Sequence, residues 1–329
     1  MKRAGLVAAL VVLFSAAHAQ AYLKLGTTIN GKVISLKWDT FPIRYFISNH
    51  GVPGVQATDL RDAVGRAFAS WKAIPNTSIS SQFAGFTQAS SLGDDNMTVI
   101  GFANRPDLDR VLGSTSFTVD IVSGEIVDAD IFLNSSFAWS VAPGGDPGAY
   151  DVESIALHEI GHLHGLGHSA LGETQLMGGS NRLVLAAEAT MFPVAFSAGS
   201  VNARTPRADD IAGISDLYGT SAFRQSTGSI SGRVTRDGVG LFGAHVIAFS
   251  PQTGKLVAGF TLDDDGSFII AGLDPGPQVI RAEPLDDADP DSFFDTTVDV
   301  DFKPAFSARL VVVPEGGTAN DVEVKVVSK

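Results

Sequence analysis

The chain has 329 residues, no cysteine and a formal net charge of −13. This length exceeds one small domain and predicts two domains. The acidic balance argues against nucleic acid and anionic membranes as partners. Without cysteine, an exported form has no disulfides, so its stability must come from packed cores and bound metal.

Residues 1–19 have the pattern of an export signal. They combine a basic start at Lys2 and Arg3, an apolar run, and an Ala-His-Ala tripeptide ending at Ala19. This predicts a secretory signal peptide cleaved after Ala19, with Ala21 as the alternative site. The apolar run is well short of the ~20 residues that cross a bilayer. We therefore expect a secreted protein, extracellular or periplasmic, without a membrane span.

Residues 22–220 alternate between strand and helix patterns. Alternating apolar residues in Phe41–Ile47 predict a strand with one buried face, and apolar residues at helical spacing after residue 57 predict a long helix. Further strands are predicted at Thr98–Phe102, Ser114–Val119 and Asp130–Leu133, and further helices at about Asp151–His164 and Ala208–Tyr218. This mixture predicts an α+β domain with a twisted sheet and long helices.

The pattern changes near residue 220. Residues 221–227 are predicted to be a linker, and residues 228–329 contain short alternating apolar runs separated by glycine and aspartate turns. Such runs predict a small antiparallel β-sandwich. The predicted strands are Ile230–Val234, His245–Phe249, Ser267–Ala271, Gln278–Ala282, Arg309–Val313 and Asp321–Val326.

The stretch HEIGHLHGLGHS, residues 158–169, has the spacing of a metal site. His158 and His162 are four residues apart, so on a helix both imidazoles face one ion. Gly165 can adopt positive φ and turn the chain back, which lets His168 act as a third ligand. Three neutral imidazoles leave an open position on a tetrahedral zinc, as a catalytic site requires.

Glu159 lies beside the ligands without occupying a coordination position. It is placed to take a proton from a zinc-activated water and pass it to a leaving amine, which predicts peptide-bond hydrolysis. The alternative is an exported adhesion or matrix-binding protein with a structural zinc site, although such a site needs no adjacent carboxylate. A third hypothesis is a protein that processes only its own leader-proximal segment. His164, on the other side of the helix, is not in the predicted ligand set.

The same stretch, followed by Ser169, resembles the signature of the metzincin metallopeptidases, and in particular their matrixin branch. The resemblance covers residues 22–220 and implies one catalytic zinc, extended protein or peptide substrates, and a methionine turn under the metal. Met191, in ATMFPVAF, and Met177, in TQLMGGS, are the candidates. Met191 is favoured because Met-Phe-Pro resembles the matrixin Met-Tyr-Pro, which makes Ala170–Ala189 an insertion.

The resemblance also implies the substrate cleft. Residues Asp130–Asn134 would be its edge strand, with Asp130, Ile131 and Phe132 in the cleft, and Pro193 would help to wall the specificity pocket. Asp209 and Asp210 would begin the last helix in a structural role. The family's segment for calcium and a second zinc is not recognisable, so Ca²⁺ stays open through GDDN or the aspartates around residues 120–130.

The C-terminal region, with its Gly-Ala-His-Val and Asp-Gly-Ser-Phe sequences, resembles the carboxypeptidase regulatory-like, transthyretin-type β-sandwich. This resemblance implies a binding, spacing or stabilising module, whose partner would be a surface, matrix or polymer ligand.

Overall fold

The structure, a computed structural model, describes residues 24–329 except residues 30, 31, 94, 121, 179, 180 and 295. The predicted signal peptide therefore lies outside the described residues. Within the described part of the chain, no helix is both long enough and apolar enough to cross a membrane.

Residues 24–219 form what we call the N-terminal unit. Its strands are β1 (Gly26–Ile29), β2 (Lys32–Ser35), β3 (Ile43–Ser48), β4 (Ser81–Thr87), β5 (Thr98–Ala103), β6 (Gly113–Val119), β7 (Ile126–Asn134), β8 (Trp139–Ser140), β9 (Tyr150–Asp151), β10 (Gly172–Gly178) and β11 (Asn181–Ala187). Its helices are α1 (Ala57–Lys72), α2 (Val152–Leu163) and α3 (Ala208–Tyr218). Each predicted helix is present. Among the strands, β3, β5, β6 and β7 were predicted, whereas β4, the β10–β11 hairpin and the short strands β1, β2, β8 and β9 were not.

The centre of the N-terminal unit is a five-stranded sheet in the order β4-β3-β5-β7-β6. All neighbours are parallel except β6, which runs antiparallel to β7. The prediction that Asp130–Asn134 is the edge strand is wrong, because these residues belong to β7, which is paired on both sides. The edge strand is β6, directly before β7 in the chain.

Helices α1 and α2 pack together over this sheet. Leu60, Val64 and Phe68 recur on the buried face of α1, as their helical spacing predicts. The Trp71 indole N–H donates to the Leu157 carbonyl of α2 over 2.9 Å. This bond inside the apolar core fixes α2, the helix of the histidine motif, against α1.

Residues 228–329 form what we call the C-terminal β domain, preceded by a short helix α4 (Ser221–Ser226) where a linker was predicted. Its strands are β12 (Gly228–Arg236), β13 (Val239–Gly240), β14 (His245–Phe249), β15 (Leu256–Phe260), β16 (Ser267–Leu273), β17 (Gly276–Glu283), β18 (Phe302–Lys303), β19 (Ala305–Phe306), β20 (Val311–Val313) and β21 (Thr318–Ser328).

These strands form two five-stranded sheets whose apolar side chains meet in one core. One sheet has the path β13-β12-β21-β18 with β16 on β12, and the other has β15-β14-β17-β19 with β20 on β17. The prediction of an antiparallel sandwich holds except at one pair, because β12 and β21 run parallel. β21 is buried along alternate residues at Val322, Val324 and Val326, so its register is set by the core it faces.

The two regions share an apolar cluster of their own. The N-terminal unit contributes side chains from the β10–β11 hairpin and the segment after it, and the C-terminal β domain contributes β15 and residues 285–298. The cluster consists of Ala170, Val184, Ala187 and Phe192 from the first and Phe260, Leu262, Leu285, Ala288, Phe293, Phe294 and Val298 from the second. The insertion Ala170–Ala189 is thus a docking surface for the second domain.

Candidate metal centre

Helix α2 begins at a well-defined cap. The Asp151 carboxylate accepts a hydrogen bond from the Ser154 backbone N–H over 2.9 Å, as an N-cap residue does. The Arg204 guanidinium holds the same carboxylate with an N–O distance of 2.6 Å. The start of the helix is therefore fixed, and with it the direction in which the histidines about two and three turns later point.

The helix ends at Leu163, and the chain then reverses. Gly165 has a φ of 96°, which confirms the predicted turn. A side chain there would collide with the Leu36 carbonyl. This close approach lets the loop return His168 to the helix face that carries His158 and His162.

The three imidazoles converge on one point. The His162 Nε2 atom lies 3.1 Å from the His158 Nε2 atom and 3.2 Å from the His168 Nε2 atom. Ligands of a tetrahedral zinc, with Zn–N bonds of about 2.0–2.1 Å, are about 3.3 Å apart. The separations therefore fit a single zinc ion.

The other ring nitrogens determine the tautomers. His158 Nδ1 faces the Thr190 carbonyl at 2.8 Å, His162 Nδ1 faces the Leu166 carbonyl at 2.8 Å, and His168 Nδ1 faces the Ser292 carbonyl at 2.7 Å. A carbonyl only accepts, so each Nδ1 carries the proton and each Nε2 presents a lone pair. Lone pairs this close repel one another, and a cation between them removes that repulsion.

Burial keeps these rings neutral. Desolvation is the main cause that lowers the pKa of His158, that of His162 to well below its ordinary value, and that of His168 to about 3. The neighbouring imidazoles lower the last two further, because two cations at this distance would repel. At neutral pH the site thus offers a metal ion three neutral imidazoles, each with a lone pair on Nε2. Among the described residues, no other group of three histidine, aspartate or glutamate side chains has metal-binding spacing.

Glu159 is a buried carboxyl group beside this triad, with 4% of its surface exposed. Desolvation raises its pKa to about 7, and a hydrogen bond from the Thr115 hydroxyl, 2.8 Å from Oε2, opposes the shift. Thr115 lies on β6, and sequence reasoning missed it because nothing local links it to Glu159. The carboxyl can therefore gain and lose a proton near neutral pH.

Met191 lies beneath the helix of the motif. Its side chain is 2% exposed and packs against α2 at Gly161, whereas Met177 is 62% exposed on β10. The Met191 N–H donates to the Asp210 carboxylate over 3.0 Å. The Thr190 N–H donates to the same carboxylate over 2.8 Å, so the first turn of α3 holds the residue whose carbonyl orients His158.

A cleft of about 960 Å³ opens above the triad. One wall is β6, which has no neighbouring strand on its outer edge among the described residues, and Pro193 and Asp130 also line the cleft. Ile131 and Phe132, predicted to lie in the cleft, are instead buried in β7. They are not among the described residues that line the cleft. They were misplaced because they were assigned to an edge strand.

The cleft has a wall that the sequence did not predict. Asp289 and Ser292 of the C-terminal β domain and Arg182 of the β10–β11 hairpin line it. Asp289 pairs with Arg182 at 3.7 Å and with Arg110 at 3.4 Å. No local pattern marks these residues, since the contacts join segments more than 100 residues apart.

His164, which the prediction left outside the ligand set, is buried and directs its Nδ1 to the Ile160 carbonyl at 2.7 Å. His245 lies in the C-terminal β domain beside Glu283. The Asp120 carboxylate accepts hydrogen bonds from the Val122 and Ser123 N–H groups of its own turn. A calcium site at either suggested segment stays a prediction.

Comparison with known proteins gives a consistent family assignment. The family model described as matrixin matches residues 37–219. The chain is 29% identical over 206 residues to Metalloendoproteinase 1-MMP of Arabidopsis thaliana, covering 59% of this chain and 46% of that protein. It is 28% identical over 187 residues to Metalloendoproteinase 4-MMP of the same plant, covering 54% and 45%. The chain thus spans about half the length of the curated relatives it matches.

A solved structure, that of the Bacillus anthracis TIE protein, matches 31% of this chain and 17% of its own at 19% identity. Its TM-score is 0.22, which is too low to inform the fold.

Proposed function

The chain belongs to the matrixin family, and on that premise we propose that it is a secreted zinc-dependent endopeptidase acting on extended protein substrates. The observation that carries the proposal is the convergence of three unprotonated Nε2 atoms beside a buried carboxyl group in an open cleft. Zinc held by His158, His162 and His168 would acidify a bound water and polarise the scissile carbonyl. The leader pattern of residues 1–19 supports export.

Glu159 is the general base in this proposal. Its carboxylate takes a proton from the attacking water and delivers that proton to the leaving amine. A pKa of about 7 suits both steps, because the group is a competent base and its protonated form is a competent acid. Thr115 stabilises the ionised form through its hydroxyl, and so keeps the base available.

The outer edge of β6 is the proposed binding site for substrate. Residues Gly113–Val119 carry main-chain groups along the cleft wall, where an extended peptide can add as another strand. Pro193 and its neighbours also line the cleft and would contact a substrate side chain. This arrangement favours recognition of peptide main chain over any one sequence.

The test is hydrolysis of denatured casein, gelatin and a quenched-peptide library by the purified mature chain. We expect cleavage that disappears with a zinc chelator and falls about 10²–10⁴-fold in Glu159→Gln, the range for loss of a general base. Activity should also decline on the acid side, because protonation removes the base; the zinc charge beside the carboxyl places this decline below the metal-free pKa of about 7. The rate of peptide hydrolysis, measured from pH 5 to pH 9, checks this decline.

Zinc content is the control for both samples. Glu159→Gln should retain one zinc per chain, since Glu159 lies outside the triad. A folded, zinc-loaded wild type that cleaves none of these substrates would favour the adhesion or matrix-binding alternative. A fully active Glu159→Gln variant would exclude Glu159 as the base.

A further inference from the structure

The third histidine of the triad is oriented from outside the N-terminal unit. His158 and His162 donate to the carbonyls of Thr190 and Leu166, both in the same unit. His168 instead donates to the Ser292 carbonyl of the C-terminal β domain, 124 residues away, over 2.7 Å. The tautomer that presents His168 Nε2 to the metal position therefore depends on the second domain.

The segment that carries this carbonyl is firmly built. Pro290–Ser292 forms a turn of 3-10 helix, and the N–H groups of Phe293 and Phe294 donate to the Pro290 carbonyl over 2.9 and 3.0 Å. Both phenylalanine rings are buried in the cluster shared by the two regions. The Phe293 ring also meets the His168 imidazole edge-on, with the ring centres 6.1 Å apart.

Further contacts fix the second domain relative to the site. The Ala258 N–H of β15 donates to the buried Asp209 carboxylate of α3 over 2.8 Å. The Thr174 N–H of the hairpin donates to the Asp287 carboxylate over 3.0 Å. The Ser292 carbonyl therefore sits on a framework that is anchored both to α3 and to the β10–β11 hairpin.

We propose that Ser292 is a positioning residue of the metal centre, and that the C-terminal β domain is an integral part of the zinc site. This rests on the proposed function only in taking zinc as the metal. The Ser292 carbonyl holds the His168 ring in its ligating tautomer and direction. Loss of such an orienting partner typically weakens metal binding by about 10–100-fold.

The test changes the carbonyl and leaves every side chain in place. Replacing Phe293 by its α-hydroxy acid counterpart, in the full chain, turns the Ser292–Phe293 amide into an ester, whose carbonyl is a weaker acceptor. The matched control is the same replacement of Phe294. Each ester removes one N–H bond to the Pro290 carbonyl, but only the first weakens the Ser292 carbonyl.

The probes are Zn²⁺, titrated against a chromophoric chelator, and Co²⁺, whose visible absorption reports the ligand geometry. We expect the ester at 293 to weaken Zn²⁺ binding at least several-fold more than the ester at 294, and to shift the Co²⁺ spectrum. Equal affinities and spectra in the two esters would overturn the assignment.

A side-chain pair covers the case in which an ester variant fails to fold. Phe293→Leu and Phe294→Leu make the same change in one apolar cluster, but only Phe293 has a ring contact with His168 among the described contacts. We expect weaker Zn²⁺ binding in Phe293→Leu at similar loss of stability, and equal binding would count against the proposal. Neither measurement needs turnover, so an inactive chain would leave this test intact.

Discussion

The metal centre has two halves that depend on different parts of the sequence. His158 and His162 lie on α2, a helix whose cap, spacing and packing partners belong to the N-terminal unit. His168 lies on a loop, and both its orienting carbonyl and the phenylalanine ring that meets it edge-on come from the C-terminal β domain. One half is specified by the local pattern, whereas the other needs a second domain in place.

This difference explains why a twelve-residue motif can be identified from sequence while its support cannot. Helical spacing puts two imidazoles on one face whatever the surroundings. A loop residue has no such constraint, so its position is determined by the contacts that the folded chain supplies.

The largest effect is expected from removing a ligand of the helical half. His162→Ala should abolish stoichiometric zinc binding and lower peptidase activity by more than about 100-fold, since losing even an orienting partner costs about 10–100-fold. Zinc per chain and hydrolysis of a quenched peptide measure this. His50→Ala, at an exposed histidine far from the motif, is the matched control and should behave as the wild type. Stoichiometric zinc in His162→Ala would contradict the assigned ligand set.

The loop that carries His168 should make the stability of the chain depend on pH, through Asp209. Burial raises the pKa of this carboxyl, which also faces Ser169, to about 7 from an ordinary value near 3.8. A raised folded-state pKa contributes stability below about pH 4, and that contribution is lost as the pH rises through 7. Asp209→Asn should remove a dependence of up to about 1.4 kcal/mol per pH unit between pH 4 and 7.

Urea unfolding of the zinc-free chain at several pH values between 4 and 9 checks this. Asp62→Asn, an exposed carboxylate on α1, is the control and should leave the pH dependence unchanged. If the free energies of unfolding of Asp209→Asn and the wild type varied with pH in parallel, proton binding at Asp209 would not contribute to the pH dependence of stability.

The next largest effect on stability is expected from the packing beneath α2, the helix that carries His158 and His162. A methyl group at Gly161 would come within 3.0 Å of the Trp71 ring and closer still to the Met191 sulfur, so Gly161→Ala should lower the free energy of unfolding by about 1–3 kcal/mol. Gly65→Ala on α1 is the control, because a methyl there meets only the Tyr45 hydroxyl at 4.0 Å. In a helix this change should stabilise by up to about 1 kcal/mol. Urea denaturation of both variants separates overpacking from helix propensity.

In the fold, as in the metal centre, the parts encoded by local sequence patterns could be predicted and the parts set by distant contacts could not. The helices α1, α2 and α3 follow from apolar spacing and cap residues. Alternation predicts β3, β5, β6 and β7 of the N-terminal unit and most of the described strands of the C-terminal β domain. β4 was missed because its burial is only partial along the strand and gives no clear alternation. The edge position of β6 was missed because strand order depends on pairing between distant segments, which no single strand's pattern encodes.

The site was predicted where it is local. The histidine motif, Glu159 and Gly165 occupy one stretch of chain, so their spacing carries the geometry. Thr115 and Ser292 act through hydrogen bonds from segments that are remote in the sequence. A threonine or a main-chain carbonyl has no sequence signal of such a role.

The smallest effect is expected at the rim of the cleft, where Asp289 pairs with the half-exposed Arg110 and the largely buried Arg182. Its partners Arg110 and Arg182 lie 3.4 and 3.7 Å away, and the Asp289 and Arg110 side chains are about half exposed. Water and salt screen such pairs, so Asp289→Asn should cost less than about 1 kcal/mol of unfolding free energy, and less still at 1 M salt. Equilibrium urea unfolding at low and high salt measures it. A loss above about 2 kcal/mol would mean that these charges, and not the apolar cluster behind them, hold the second domain against the metal centre. The loop half would then depend on ionic strength as well as on packing.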